Sequence, residues 1–124
     1  MKCKENSKVN PEENMFVYIL RCGDDSLYTG IAADMEKRLR QHRGEIKGGA
    51  RYTHAHGVKK IEALWETDDS NAARKMECAL KKLKRADKEQ LIKSPGLITE
   101  KFIPALSEYD FKPACIPEKY NSVL

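Results

Sequence analysis

The sequence predicts a small domain of the α/β (α+β) class, in which an antiparallel sheet of about three strands is flanked by helices. Residues 15–21 and 27–31 are rich in β-branched and aromatic side chains, and the turn-forming stretch 22–26 separates them, which is typical of a β-hairpin. Residues 58–66 combine alternation with apolar residues and predict a third strand. Apolar residues recur at helical spacing on both sides of that strand.

The predicted hairpin places two tyrosines on one face of the sheet. If its loop comprises residues 22–24, Arg21 pairs with Asp25, and Tyr18 lies directly opposite Tyr28. Both phenols then project from the same side, whereas a register shift of one residue would send one ring to the other face. Gly30 indicates either a tight turn at the strand end or a close approach of another group to the backbone.

Three helices are predicted from capping residues and apolar spacing. Asp34 caps the first helix, which runs to about residue 43, and Ser70 caps the second. The first helix is expected to bury Met35, Leu39, His42 and Ile46. The second is expected to bury Ala73, Met76, Leu80 and Leu83. A capping box at residues 87–90 starts a short third helix, and the glycine-containing residues 44–56 predict a flexible loop.

Length and composition define the organisation of the chain. Its 124 residues suffice for one compact domain and a tail. We assign residues 1–13 to a polar N-terminal segment, 14–93 to the domain, and 94–124 to a proline-containing tail that is either extended over the surface or disordered. No apolar run approaches the roughly 18 residues that span a bilayer, and no signal peptide is visible. Four widely spaced cysteines without a C-x-x-C pair predict reduced thiols and a cytoplasmic protein without a membrane partner.

Positive charge is concentrated in the two long helical stretches. The whole chain carries a formal charge of +4, whereas residues 33–62 contain eight basic and four acidic residues, and residues 72–93 contain eight basic and three acidic residues. Such a distribution is typical of a surface that binds a polyanion, although two solvated helix faces would look the same.

The order of motifs resembles the GIY-YIG nuclease superfamily. Residues 18–20 (YIL) are followed ten positions later by residues 28–30 (YTG), then by residues 36–42 (EKRLRQH) and 49–53 (GARYT), and finally by Glu77 with residues 80–83 (LKKL). More closely, the chain resembles the small single-domain bacterial proteins of the UPF0213 type. The resemblance covers about residues 14–93. The first motif reads Val17-Tyr18 where the family has Gly-Ile-Tyr, and Thr29 replaces an isoleucine.

The resemblance implies a role for each of five residues. Tyr18 and Tyr28 would line the site, Arg38 would contact the scissile phosphate, and His42 would support proton transfer. Glu77 would bind one divalent metal ion, Mg²⁺ or Mn²⁺. The implied activity is that of a metal-dependent endonuclease.

The residue types suit hydrolysis of a phosphodiester bond. The planar fork of Arg38 can hold two phosphate oxygens, and Mg²⁺ accepts the single carboxylate of Glu77 if water and phosphate complete its octahedron. A tyrosine with a pKa of about 10 needs about 4 kcal/mol to ionise at pH 7. We expect Tyr28 to be the general base and Tyr18 its hydrogen-bonding partner, with the reverse assignment still open.

Each assignment has a structural alternative. Glu77 could instead pair with Lys81 four residues later, and His42 could be a helix-terminal residue that the helix dipole stabilises. The expected nucleic-acid contacts are Lys37, Arg40, Arg51, Tyr52, Lys75 and Lys82.

The predicted substrate is structured or single-stranded DNA in repair or recombination, and RNA is not excluded. No element that reads a base sequence is visible, so backbone contacts should dominate. The alternative is a nucleic-acid-binding module whose catalysis is vestigial or depends on a protein partner. The sequence leaves the oligomeric state open.

Overall fold

The computed structural model describes residues 15–48, 51–97, 111–114 and 116. The helices and strands within them, in chain order, are β1 (Met15–Cys22), β2 (Leu27–Ala32), α1 (Met35–His42), α2 (Arg51–His56), β3 (Val58–Thr67), α3 (Ser70–Lys82), α4 (Arg85–Lys93), the 3₁₀ helix Pro95–Leu97, and β4 (Lys112–Pro113). The strands form an antiparallel sheet in the order β2-β1-β3-β4. The α+β class is confirmed, with one strand more than predicted. Within the described residues, none of the helices has the length and apolar character needed to cross a membrane.

The hairpin register differs from the predicted one by two residues. Tyr18 lies opposite Gly30, and Tyr28 lies opposite Leu20. The loop begins one residue later than predicted, because the Cys22 amide donates to the Ser26 carbonyl at 2.8 Å and leaves residues 23–25 between them, where Asp25 adopts a left-handed φ of 72°. A shift of two residues keeps the side-chain face, so both tyrosines still share one side of the sheet.

The two faces of the sheet bury different helices. Residues on one face of β1 and β3 pack against α3 and α4, and Trp65 lies fully buried among them. The opposite face, which includes Tyr18 and Leu20, packs against Met35 and Leu39 of α1. The period-two alternation of β1 therefore divides the core into two layers, one on each side of the sheet.

Helix boundaries confirm some capping predictions and correct others. Asp34 caps α1 as predicted, accepting from the Lys37 amide at 3.1 Å. Asp69, not Ser70, caps α3, because its carboxylate accepts from two amides of the first turn. Helix α4 begins at Arg85, before the predicted capping box, and has no side-chain cap. Part of the predicted flexible loop forms α2, and Ile46 lies beyond the end of α1.

An ion-pair cluster joins the hairpin to α4. The Arg21 guanidinium bonds Glu62 of β3 at 2.5 Å, Glu89 of α4 at 2.9 Å and Asp25 of the hairpin loop at 3.0 Å. The hydrogen bonds that Arg21 donates to these carboxylates raise its pKa, and the bond to Glu62 contributes most. Arg85 also pairs with Asp25 and Glu89, which adds a second cation to the cluster.

The C-terminal segment covers the far edge of the sheet. Lys112 and Pro113 pair with Glu66 and Trp65 of β3, and the Ala114 amide donates to the Leu64 carbonyl at 2.8 Å. Phe111 packs on the α3 side of the sheet, whereas Ala114 and Ile116 pack on the α1 side. The described part of the tail therefore closes the β3 edge by adding a strand.

Gly30 provides the space that the Tyr18 side chain occupies. A Cβ atom at this position would lie 2.7 Å from Tyr18 Cζ and still closer to the phenol oxygen. Of the two sequence-based interpretations, the close approach of another group is therefore the one that the structure supports. Because Gly30 is directly opposite Tyr18 in the register, the phenol passes from β1 across the edge strand β2.

We expect Gly30→Ala to destabilise the fold by about 1–3 kcal/mol, because the new methyl group would displace a fully buried ring. Urea unfolding measures this loss. Gly96→Ala is the matched control, since its Cβ would meet no atom within 4 Å and the glycine has no left-handed φ. Equal stabilities of the two variants would contradict the close approach.

Candidate active site

The Tyr18 side chain is fully buried and forms the centre of the site. It leaves β1, crosses Gly30, and places its hydroxyl 2.8 Å from Nε2 of His42. Burial raises the pKa of Tyr18 to about 12, although a hydrogen bond from Arg38 opposes that shift. At pH 7, ionising this phenol would require about 7 kcal/mol.

His42 links the hairpin to the second helix. It lies in the last turn of α1 and is 2% exposed. Its Nε2 contacts the Tyr18 hydroxyl at 2.8 Å, and its Nδ1 contacts Thr53 Oγ1 of α2 at 2.8 Å. Burial lowers the pKa of His42 to about 4, helped by the nearby positive charge of Arg38. The imidazole is therefore neutral at pH 7. His42 does lie in the last turn of α1, as the structural alternative requires, but burial opposes the charged form that a helix dipole would stabilise.

Tyr28 occupies a different environment from Tyr18. Its ring is half-buried and packs edge-on against His42, with the ring centroids 5.5 Å apart. The Tyr18 ring lies 5.8 Å from the same imidazole at a similar angle. The imidazole therefore contacts both phenol rings. The two tyrosines lie on the same face of the sheet but are not directly opposite each other in the hairpin register.

Arg38 points its guanidinium toward Tyr18 from the middle of α1. One terminal nitrogen donates to Gln41 Oε1 at 3.0 Å, while Nε is buried and has no hydrogen-bond partner among the described residues. Arg38, Gln41 and Lys37 also line an open groove of about 300 Å³ together with the end of β2. An incompletely paired guanidinium beside an open groove is suited to binding an anion.

Glu77 approaches the site from the α3 side of the sheet. Its charge lies close enough to raise the pKa of Tyr18, as the smallest of the contributions, and its side chain is 24% exposed. Lys81 Nζ lies 3.3 Å from Glu77 Oε2, so the predicted structural partner is present. Across the described residues, no group of three or more histidine, cysteine or acidic side chains is arranged to hold a metal ion.

The carboxylate of Glu77 fits one kind of metal ion. Mg²⁺ in nuclease-type sites keeps several water ligands and needs only one or two protein carboxylates, with substrate phosphate completing the shell. The partly exposed carboxylate of Glu77 satisfies that requirement. A closed, multi-ligand structural site would not be compatible with the described residues.

The predicted nucleic-acid contacts are distributed over three helices. Lys37 and Arg40 are exposed on α1, and Arg40 pairs with Glu45 at 3.4 Å. Arg51 is exposed on α2, whereas the side chain of Tyr52 lies outside the described residues. Lys75 and Lys82 are exposed on α3, which packs on the opposite sheet face from α1. The structure therefore brings Lys37 close to Arg38 and places the α3 lysines on the other side of the sheet.

Thr53 is the site residue that sequence reasoning missed. It is fully buried, and its hydroxyl contacts His42. Thr53 belongs to the motif at residues 49–53. The short polar stretch around it predicts a loop, in which Arg51 and Tyr52 are the expected nucleic-acid contacts and Thr53 has no predicted role. Only the formation of α2 brings the hydroxyl to the imidazole.

Comparison with known proteins identifies the domain. A sequence profile described as the GIY-YIG catalytic domain matches residues 14–90. A UPF0213 protein of Syntrophus aciditrophicus is 44% identical over 78 residues, which cover 63% of this chain and 88% of that protein. The UPF0213 protein FN1575 of Fusobacterium nucleatum is 40% identical over 80 residues, 64% of this chain and 78% of its own.

A solved structure is also similar. The solution NMR structure of the UPF0213 protein BH0048 from Bacillus halodurans is 37% identical, with a TM-score of 0.43, and the match covers 71% of this chain and 95% of that one. The chain belongs to the GIY-YIG family and, within it, to the UPF0213-type proteins. The GIY-YIG family is a nuclease family, and the names of the UPF0213 relatives specify no activity.

We expect the free energy of unfolding to decrease as the pH falls from about 6.5 to about 4. In that range the unfolded chain binds a proton at His42 and the folded chain does not, so stability increases with pH. At neutral pH, the depressed pKa of His42 corresponds to a difference of about 3 kcal/mol in the free energy of unfolding, and this contribution is lost as the pH falls to about 4. Urea unfolding at several pH values measures this slope.

Histidine variants separate His42 from the acidic groups that titrate nearby. His42→Asn should have a shallower slope than wild type between pH 4.5 and 7, whatever its absolute stability. His54→Asn, at an exposed position, should keep the wild-type slope. Identical slopes for wild type and His42→Asn would show that His42 is not held neutral by the fold.

Proposed function

We propose that the protein is a divalent-metal-dependent endonuclease that hydrolyses phosphodiester bonds in structured or single-stranded DNA. The observation that carries the proposal is the convergence of four side chains on Tyr18. His42 and Arg38 reach it from α1, Tyr28 shares its face of the sheet, and Glu77 approaches from α3.

Arg38 is the phosphate-binding group of this site. Its side chain lines the groove that it shares with Lys37, and one terminal nitrogen donates to Gln41 Oε1. A phosphodiester in the groove would accept hydrogen bonds from the terminal nitrogens, and the guanidinium would stabilise the negative charge that develops on the phosphoryl oxygens.

The two tyrosines divide the proton chemistry between them. The high pKa of Tyr18 keeps its phenol protonated, so Tyr18 acts as a hydrogen-bond donor that orients its neighbours. Tyr28 lies in a half-buried position, and we assign it as the group that removes a proton from the attacking water. Neutral His42 holds Tyr18 in place and packs against Tyr28.

Glu77 would hold the metal ion, Mg²⁺ or Mn²⁺. When bound, the ion would supply Lewis-acid stabilisation of the leaving oxygen. Lys81 on the same helix pairs with this carboxylate at 3.3 Å. The proposal includes a role in DNA repair or recombination in the cytoplasm. The charge distribution favours contacts with the DNA backbone over recognition of specific bases.

A specific observation favours the alternative of a binding module with vestigial or partner-dependent catalysis. Glu77 already has a cationic partner in Lys81, and an i,i+4 pair of this kind is a common structural arrangement. If that pair is the whole role of Glu77, the basic surface would bind nucleic acid without cleaving it. A protein partner would then be needed to complete the site.

Cleavage of labelled single-stranded, flapped and duplex DNA tests the proposal. We expect wild type to cleave with Mg²⁺ or Mn²⁺ and to be inactive with chelator. Tyr28→Phe and Glu77→Gln should lose cleavage and keep DNA affinity within a few fold. Arg38→Ala should lose about 10²-fold or more in rate.

Lys81→Ala is the matched control for Glu77→Gln. Both variants remove the same ion pair, but only Glu77→Gln removes the carboxylate. A metal-binding role predicts that Lys81→Ala remains active, whereas a purely structural pair predicts that both variants behave alike. Salt-sensitive DNA binding without metal-dependent cleavage by wild type would favour the binding module.

A further inference from the structure

We propose that Thr53 is a positioning residue that places the single imidazole proton of His42 on Nδ1, leaving Nε2 to accept from Tyr18. The consequence for catalysis rests on the proposed nuclease function. The proton position itself is a property of the folded chain and can be measured without any activity.

The imidazole of His42 is held between two hydroxyl groups. His42 is 2% exposed and Thr53 is fully buried, so bulk water does not compete for the ring nitrogens. Both contacts are 2.8 Å long, one from each ring nitrogen to an oxygen. A neutral imidazole carries one N–H donor and one acceptor nitrogen, so the two contacts must run in opposite senses.

The direction of these hydrogen bonds follows from Arg38. The positive charge of Arg38 acts on Tyr18, and a guanidinium has donors only, so a lone pair of the phenol oxygen faces it. The Tyr18 hydroxyl, which is protonated at neutral pH, then directs its own hydrogen away from Arg38. His42 Nε2 lies at 2.8 Å and is suited to accept it. The imidazole proton therefore lies on Nδ1, where Thr53 Oγ1 accepts it.

The resulting chain of hydrogen bonds runs from Tyr18 through His42 to Thr53. If the Thr53 oxygen were removed, an Nδ1–H group would lose its acceptor in a buried site. If the proton moved to Nε2, Nδ1 would no longer need an acceptor. The new Nε2–H group would then point at the hydrogen of the Tyr18 hydroxyl. Thr53 therefore controls the orientation of a phenol that it does not touch.

Nitrogen NMR of ¹⁵N-histidine-labelled protein at neutral pH tests the assignment directly. The sequence has only three histidines, and His42→Asn identifies the His42 signals by their loss. We expect a protonated Nδ1 and an unprotonated Nε2 at His42 in wild type. An Nε2–H signal at His42 in wild type would overturn the proposal, and this measurement requires no Thr53 variant.

Two substitutions of Thr53 separate its hydroxyl from its packing. Thr53→Val keeps the shape and removes the oxygen, whereas Thr53→Ser keeps the oxygen and removes a methyl group. We expect Thr53→Val to shift the proton toward Nε2 and Thr53→Ser to retain the wild-type tautomer. If Thr53→Val is folded and retains the Nδ1–H form, or if Thr53→Ser loses it, the proposal is wrong.

Cleavage kinetics provide the link to function. We expect Thr53→Val to lower kcat by about 10-fold or more with little change in KM, and Thr53→Ser to restore most of it. If wild type lacks nuclease activity, the proposed function fails, while the NMR result still decides the tautomer. A wild-type kcat in a folded Thr53→Val with a shifted tautomer would show that the proton position has no catalytic role.

Discussion

The hydrogen bond between the Tyr18 hydroxyl and His42 Nε2 is the interaction on which the site depends. It joins a strand to a helix across the interior, and both side chains would be costly to bury without it. The bond can form only because Gly30 leaves room for the phenol to cross the neighbouring strand. The lack of a side chain at Gly30 thus determines where the Tyr18 hydroxyl lies. The position of this hydroxyl in turn relates those of Arg38 and Tyr28.

Burial gives two chemically identical side chains different properties. Tyr18 lies in the interior, where a phenolate is strongly disfavoured, while Tyr28 is only half-buried on the same face. The imidazole of His42 packs against both rings, and it too is held neutral by burial. The charged groups that act on Tyr18 are therefore Arg38 and Glu77, one from each side of the sheet.

The sequence predicts most of the fold and most of the site because both depend on local patterns. Alternation in the hairpin places Tyr18 and Tyr28 on one face of the sheet. The predicted register is wrong by two residues, and a shift of two residues leaves each side chain on the same face. The register itself depends on hydrogen bonds within the loop at Asp25, which the pattern does not specify. Thr53 and β4 could not be predicted for a different reason. Their contacts join separate elements of the fold, and neither a six-residue helix nor a two-residue strand has a clear periodicity.

The short strand β4 has a consequence for how the sheet can grow. Lysine and proline on an edge both discourage the addition of a further strand, so β4 protects the β3 side of the described sheet from lateral association. Among the described strands, the other edge is β2, the strand that carries Tyr28 and Gly30. A partner that joined the sheet by main-chain pairing at β2 would therefore lie beside the candidate site, and its binding would compete with the access of a ligand to that site.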